Sequence, residues 1–262
     1  MLKKLLKYDI KNIYKFLIIF YSLTLFFSIL TRIFIYVDNS VITTIIKNIC
    51  LGTSIAMMIN ILINNTIRLW VRFKESIYGD ESYLTHTLPV TKKKIYLSKF
   101  ILSILTLLVS TIIIVLSIII IFYNKDNFEV FKNVLQQSLN IYDISIYTLI
   151  FAFLLILFLE LFSALQAGYT GIILGNRRNN NRTLFSILYG FIIYIVTQLI
   201  VLISVFIVGI FNSNIMDLFT SNNISSDILK LLFILSTIIY LLIIIFVYIF
   251  NIKILSKGVN VE

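Results

Sequence analysis

The chain has 262 residues, 60% of them hydrophobic, and a mean hydropathy of +1.01. Soluble domains average about 45–50% apolar residues, so this composition excludes an ordinary soluble globule and points to a membrane. The net charge of +10 does not indicate nucleic acid, because the basic residues cluster at the ends of apolar runs, where anionic lipid headgroups are the expected contact.

In chain order, the first fifteen residues read as an amphipathic helix over 2–15. Leu2, Leu5, Leu6, Ile10 and Ile13 recur at helical spacing, and Lys3, Lys7, Lys11 and Lys15 recur every four residues on the other face. Such a helix suits the membrane interface before the chain turns into the bilayer. Asp9 falls on its apolar side and interrupts the pattern. Six apolar blocks follow, at about 16–37, 41–63, 100–123, 144–174, 184–211 and 228–250. A helix needs ~20 apolar residues to cross a hydrocarbon core of about 30 Å, and every block is long enough. The first is expected to be retained, since no small-residue cleavage site follows it. The chain is therefore read as one all-α membrane domain, 1–262, with six transmembrane helices.

Orientation follows from charge. Seventeen of the 22 Lys and Arg residues lie in the N-terminal segment, in the loop 64–99, in the short loop with Arg177, Arg178 and Arg182, and in the tail. Only Arg32, Lys47, Lys125, Lys132 and Lys230 fall on the opposite side. The positive-inside rule then places both termini in the cytoplasm. The abundance of Ile, Asn and Lys suggests an AT-rich bacterial genome and hence the bacterial cell membrane. Loops 124–143 and 212–227 are expected outside. Block two is the most polar, with Lys47, Thr53, Ser54, Asn60 and Asn64. These polar residues are expected to face other helices, since unpaired amides are costly in lipid. Block four is too long for a straight span and is expected to tilt, break or project.

The loop 64–99 holds the chain's only His and only Pro. Gly79 permits a sharp turn. Asp80, Glu81 or Ser82 can cap a short helix, on which Tyr83, Leu84, Thr87 and Leu88 form a small apolar face. Pro89 forces Leu88 toward extended geometry and ends that helix. Thr91 can cap the next one. Lys92, Lys93 and Lys94 sit in its first turn, where cations oppose the helix dipole and headgroup phosphates or an acidic partner would explain them. The expected element is a short helix parallel to the membrane, held between two longer helical arms. An apolar face beside charges makes a plausible docking patch.

The segment from Gly79 through Asp80, Glu81, Ser82, Tyr83, Leu84, Thr85, His86, Thr87, Leu88 and Pro89 to Val90 resembles the loop between the second and third spans of ABC-2-type ABC transporter permeases of Gram-positive bacteria. Residues 95–100 fit the same pattern. Ser82 departs from it, standing where relatives often carry Gly. The resemblance implies a permease subunit whose short helix is a coupling helix, formed by Gly79, Asp80, Glu81, Tyr83, Leu84, His86, Leu88 and Pro89. That helix would sit in a groove of a cytosolic ABC ATPase subunit. The resemblance also implies a second permease chain, identical or related, and cargo such as an antimicrobial peptide or another amphipathic or lipid-like molecule. ATP and magnesium would belong to the partner, leaving no cofactor here. A membrane-embedded immunity or sensor protein without transport of its own is the alternative.

Three further features carry weight. Glu160 is the only carboxylate deep inside a span, and such groups face a bundle interior or a watery path. It is either functional or a hydrogen-bonded packing residue. Gln166, six residues on, points off the same face. Ala164, Ala167, Gly168, Gly171 and Gly175 space small residues by three or four, which allows close helix packing within the subunit or between subunits. The sequence lacks a GxxxxGK(S/T) loop and an HExxH pair, and it lacks a GxSxG elbow. Its single Cys50 and single His86 provide neither an internal disulfide nor a two-His metal site. Neither catalytic nor metal-ligating residues are expected.

Overall fold

The computed structural model describes residues 2–37, 40–123, 145–211 and 226–258. Among these residues, seven helices and no strands are found: α1 Leu2–Tyr36, α2 Val41–Ile77, α3 Ser82–Thr87, α4 Lys92–Phe122, α5 Ile146–Gly175, α6 Arg182–Phe211 and α7 Ser226–Ser256. All but α3 are long and apolar enough to cross a membrane. Helices are the natural outcome for such runs, because a chain in hydrocarbon must satisfy every backbone amide within its own segment. The loops expected at 124–143 and 212–227 lie almost wholly outside the described residues.

The chain divides into two compact units, one carrying α1–α4 and the other α5–α7. In the first, α1 packs against both α2 and α4, and α3 packs on α2. The amphipathic stretch 2–15 is helical as expected, but no turn separates it from the first span. α1 is one helix of 35 residues, about 52 Å long at 1.5 Å per residue. It contains neither Gly nor Pro, so nothing in it breaks the hydrogen-bond ladder. One buried stripe runs its whole length: Asp9, Ile13, Leu17, Tyr21, Thr24, Ser28 and Thr31. α2 begins with a reciprocal capping box, in which the Ser40 hydroxyl accepts from the Thr43 amide at 3.2 Å and the Thr43 hydroxyl accepts from the Ser40 amide at 2.8 Å. Its 37 residues span about 55 Å, well beyond the ~30 Å hydrocarbon core. The surplus length forms the arm that carries α3.

Polar groups stitch this unit together inside its apolar shell. The Tyr21 hydroxyl pairs with Ser110 Oγ at 2.9 Å, and the Asn65 amide donates to the same oxygen at 2.9 Å. Thr31 and Ser54 share a hydrogen bond of 3.0 Å. Each such interhelical bond contributes about 0.6–2 kcal/mol in a bilayer. Of the polar residues expected to face other helices in α2, Ser54 does so. Asn60 and Asn64 remain half-buried and bond to each other, and Thr53 bonds to its own helix at the Ile49 carbonyl. The outer faces, such as Ile19, Phe26 and Ile33 on α1, are exposed and apolar, as a lipid-facing surface requires.

In the second unit α5 packs on both α6 and α7. α5 is continuous and does not break, and at 30 residues it covers about 45 Å. The small-residue stripe is used within the chain. A Cβ added to Gly171 would lie 2.5 Å from the Gly190 nitrogen and the Ser186 carbonyl oxygen of α6, and one on Gly175 would lie 2.4 Å from the Ser186 nitrogen. The Gly168 Cα borders Gly190. The backbones of α5 and α6 thus meet at these glycines inside the chain.

Candidate functional site

The short-helix motif is built as the sequence implies. The Tyr78 and Gly79 amides both donate to the Lys74 carbonyl, at 2.8 and 3.0 Å. Gly79 does not adopt a positive φ. A Cβ there would stand 3.0 Å from Glu75 Cα, a contact tight enough that the neighbouring backbone would have to give by a few tenths of an ångström. α3 then runs for six residues and stops at Leu88, whose φ of −64° and ψ of 139° are the extended geometry that Pro89 demands. Thr91 starts α4 with its carbonyl accepting from the Lys94 and Ile95 amides at 2.9 and 3.1 Å.

The expected side-chain caps are not made. Glu81 is the N-cap of α3 and Thr91 that of α4, and neither side chain caps its helix. Asp80 and Pro89 are exposed. Glu81 is drawn elsewhere: its Oε1 accepts from Arg72 Nη1 at 2.7 Å. Arg72 Nε donates to Asp9 Oδ1 at 2.9 Å, and Lys99 Nζ donates to Asp9 Oδ2 at 2.7 Å. Asp9, Arg72 and Lys99 are 2%, 4% and 3% exposed. Four charges of balanced sign therefore link α1, α2 and α4 to the start of α3. The Arg72 guanidinium also stands 5.4 Å from the Tyr8 ring centre, and Arg68 lies over Phe16 at 3.6 Å.

This network is what the sequence reading missed. Asp9 read as a blemish on an apolar face, and Arg72 and Lys99 as topology markers. The available signal was their register. Asp9 lies four residues before Ile13, on the stripe that continues to Leu17 and Tyr21. Arg72 sits among the buried Leu69, Phe73 and Ser76, and Lys99 among Tyr96, Ser98 and Leu102. Charges on three apolar faces that must pack together call for each other.

α3 is held by its inner face and shows its outer one. Ser82 and Thr85 are buried, and His86 Nε2 lies 3.1 Å from the Ile77 carbonyl, tying the helix to the end of α2. Tyr83 is 75% exposed, Leu84 67% and Leu88 39%, with Thr87 exposed beside them. A cleft of about 560 Å³ opens next to this face, with Lys4, Tyr8, Asp9, Lys99, Leu84 and Leu88 in its walls. Lys93 and Lys94 are exposed at the start of α4, and Lys3, Lys4, Lys7, Lys11 and Lys15 along α1. The arrangement can present a fixed apolar knob on a strongly basic surface.

The other predicted residues lie in the second unit. Glu160 is half-buried near the middle of α5, and Gln166 is fully buried one and a half turns on. Arg177 leaves its expected loop role to donate to the Ile254 carbonyl at 2.9 Å, and Arg178 bonds to the Tyr189 hydroxyl. Comparison with known protein families, curated proteins and solved structures returned no match to this chain.

Proposed function

We propose that the chain is the transmembrane permease subunit of an ATP-driven exporter of the ABC-2 type, with α3 as the helix that seats in a cytosolic ATPase subunit. The observation that carries this reading is the construction of α3. It is a six-residue helix whose Tyr83 and Leu84 project outward while its inner face is bonded to α2 and its N-cap Glu81 is ion-paired to Arg72 of α2, which Asp9 of α1 connects to Lys99 of α4. An apolar knob that merely covered the chain's own spans would be buried, and these side chains are not. A push on α3 would pass through Arg72 and Asp9 to two spans at once, which is what a subunit driven from outside requires. The basic surface around it suits the inner leaflet and orients both termini to the cytoplasm. Two permease chains would pair around the transport path, and an antimicrobial peptide or a similar amphipathic molecule is the proposed cargo.

The test is Leu84→Asp, which would place a charge in the docking groove. An unpaired buried charge costs several kcal/mol, so association with the ATPase subunit should weaken by orders of magnitude. The variant should still insert in the membrane and unfold at the wild-type temperature, since Leu84 is 67% exposed in the isolated chain. Unchanged copurification of an ATPase subunit with the tagged variant, at unchanged ATP hydrolysis, would remove α3 as the contact.

A further inference from the structure

The cleft beside α3 takes its walls from α1, α2, α3 and α4, all within the first unit. Its volume of about 560 Å³ falls within the ~300–1,000 Å³ of small-molecule sites. Its depth is that of lipid headgroups. Lys99 directly precedes the apolar run that begins at Phe100, and Asp9 lies about 10 Å before Phe16 along α1. The headgroup layer begins where such apolar runs end.

The floor of the cleft holds more hydrogen-bond donors than the protein uses. Lys99 Nζ carries three N–H groups, and its one acceptor among the described residues is Asp9 Oδ2, at 2.7 Å. Ser98, the residue before it, also lines the cleft and is 1% exposed. Its Oγ has no hydrogen-bond partner among the described residues. Buried hydroxyls are rarely left so. Both oxygens of Asp9 already accept, one from Arg72 and one from Lys99, so a cationic ligand finds little here. Charge points the same way. The walls carry three bases, Lys4, Arg72 and Lys99, against two acids, Asp9 and Glu81. The surplus charge is that of Lys4, which is exposed and takes part in none of the ion pairs among the described residues. Unused donors and a surplus cation call for an anion rich in acceptor oxygens, as a phosphate is. Leu5, Leu88 and Ile95 line the cleft as well and give an apolar wall to whatever carries that phosphate.

We infer that this cleft binds the headgroup of an anionic phospholipid, its phosphate accepting from Ser98 Oγ, Lys99 Nζ and Lys4 Nζ, with the start of an acyl chain against Leu5 and Leu88. The lipid is a fixed ligand from the leaflet that the cleft borders, and it is not cargo. The site stands apart from the exporter reading, because it needs neither an ATPase nor a second chain. Its consequence concerns α3. Leu84, Thr85 and Thr87 belong to the same walls, so a bound headgroup clamps the short helix against α1 and α4. The lipid composition of the leaflet then sets how firmly α3 is held.

The experiment uses the full chain in dodecyl maltoside micelles, titrated with dioleoyl phosphatidylglycerol or dioleoyl phosphatidylcholine and read by native mass spectrometry. Wild type should bind the anionic lipid about tenfold more tightly than the zwitterionic one, and Lys4→Gln should lose most of that difference. Ser98→Ala should weaken phosphatidylglycerol a few-fold and still unfold at the wild-type temperature or above, since the hydroxyl it removes is unpaired. Lys3→Gln removes an equal charge from the same helix outside the cleft and should bind as wild type does. Equal affinity for the two lipids, or equal weakening by Lys3→Gln and Lys4→Gln, would reduce the effect to general surface charge and overturn the site. Wild-type binding by Ser98→Ala would overturn it too. Hydrogen exchange gives a second reading. Phosphatidylglycerol should slow exchange across 82–87 in wild type and much less in Ser98→Ala, and unchanged exchange in wild type would overturn the clamp. Glycerol 1-phosphate should not reproduce that protection. If it does so at the same concentration, the ligand is a soluble phosphate and the lipid assignment falls. No ATPase subunit is present, so failure here leaves the α3 docking reading to stand or fall on Leu84→Asp.

Discussion

Replacing Asp9 by Asn tests how the first unit is held together. The substitution keeps size and one hydrogen-bonding oxygen but removes the charge that both Arg72 Nε and Lys99 Nζ reach, at 2.9 and 2.7 Å. The cluster of two acids and two bases becomes one acid and two bases. The remaining acid, Glu81, has a side chain 35% exposed and contacts Arg72 alone. Lys99, 3% exposed, is left buried without a counter-charge. Breaking a buried pair by removing one partner costs about 3–5 kcal/mol, against a total stability of roughly 5–15 kcal/mol for a domain. The penalty should fall on the packing of the N-terminal part of α1 and of α3 against the arms of α2 and α4. A cost of this size raises the local opening equilibrium by about two to three and a half orders of magnitude. Hydrogen exchange by mass spectrometry on the purified chain should show it, as faster exchange across 2–12 and 82–87 with little change in α5–α7. Added salt should not reproduce the effect, because buried pairs are poorly screened. The double variant Asp9→Leu with Lys99→Met removes both charges and should recover much of the loss. Wild-type exchange in Asp9→Asn, or no recovery in the double variant, would refute the claim that these charges depend on each other.

Gly171→Ala should destabilise the second unit by about 1–3 kcal/mol or more, because the new Cβ would meet α6 backbone at 2.5 Å. Gly52→Ala, with nothing within 4 Å, should be neutral or stabilising by up to ~1 kcal/mol, and thermal unfolding of both separates close packing from helix propensity. Cysteines introduced at exposed Asp80 and Asn180, in a background with Cys50 replaced, should react with an impermeant maleimide only after permeabilisation, and labelling of intact cells would reverse the orientation. Arg72→Met should loosen α3 from α2 and weaken ATPase association while Leu84 stays intact, whereas Arg72→Lys should rescue less than half of the loss, since a single ammonium cannot bridge Asp9 and Glu81 as the guanidinium fork does.

The sequence determined the class of this protein through composition and period alone. Six runs of span length admit only helices in hydrocarbon. Pro89 after Leu88 ended α3 by local sterics, and the exposure of Tyr83, Leu84 and Leu88 followed from their place on a six-residue helix flanked by turns. These are properties of residues close in sequence, and they were legible for that reason. What the tertiary structure decided were pairings between residues far apart. Asp9, Arg72 and Lys99 belong to three helices and Glu81 precedes a fourth, and each alone has a bland explanation: a pattern break, two topology charges and a cap. Only when α1 and α4 close on α2 does burial leave these charges no partner but each other. The same holds for Gly171 and Gly175. Their spacing announced a close contact, but a small residue does not say which backbone fills the space, and Gly190 and Ser186 of α6 do. Glu160 was visible as a charge in an apolar run, and the structure leaves it half-buried on α5.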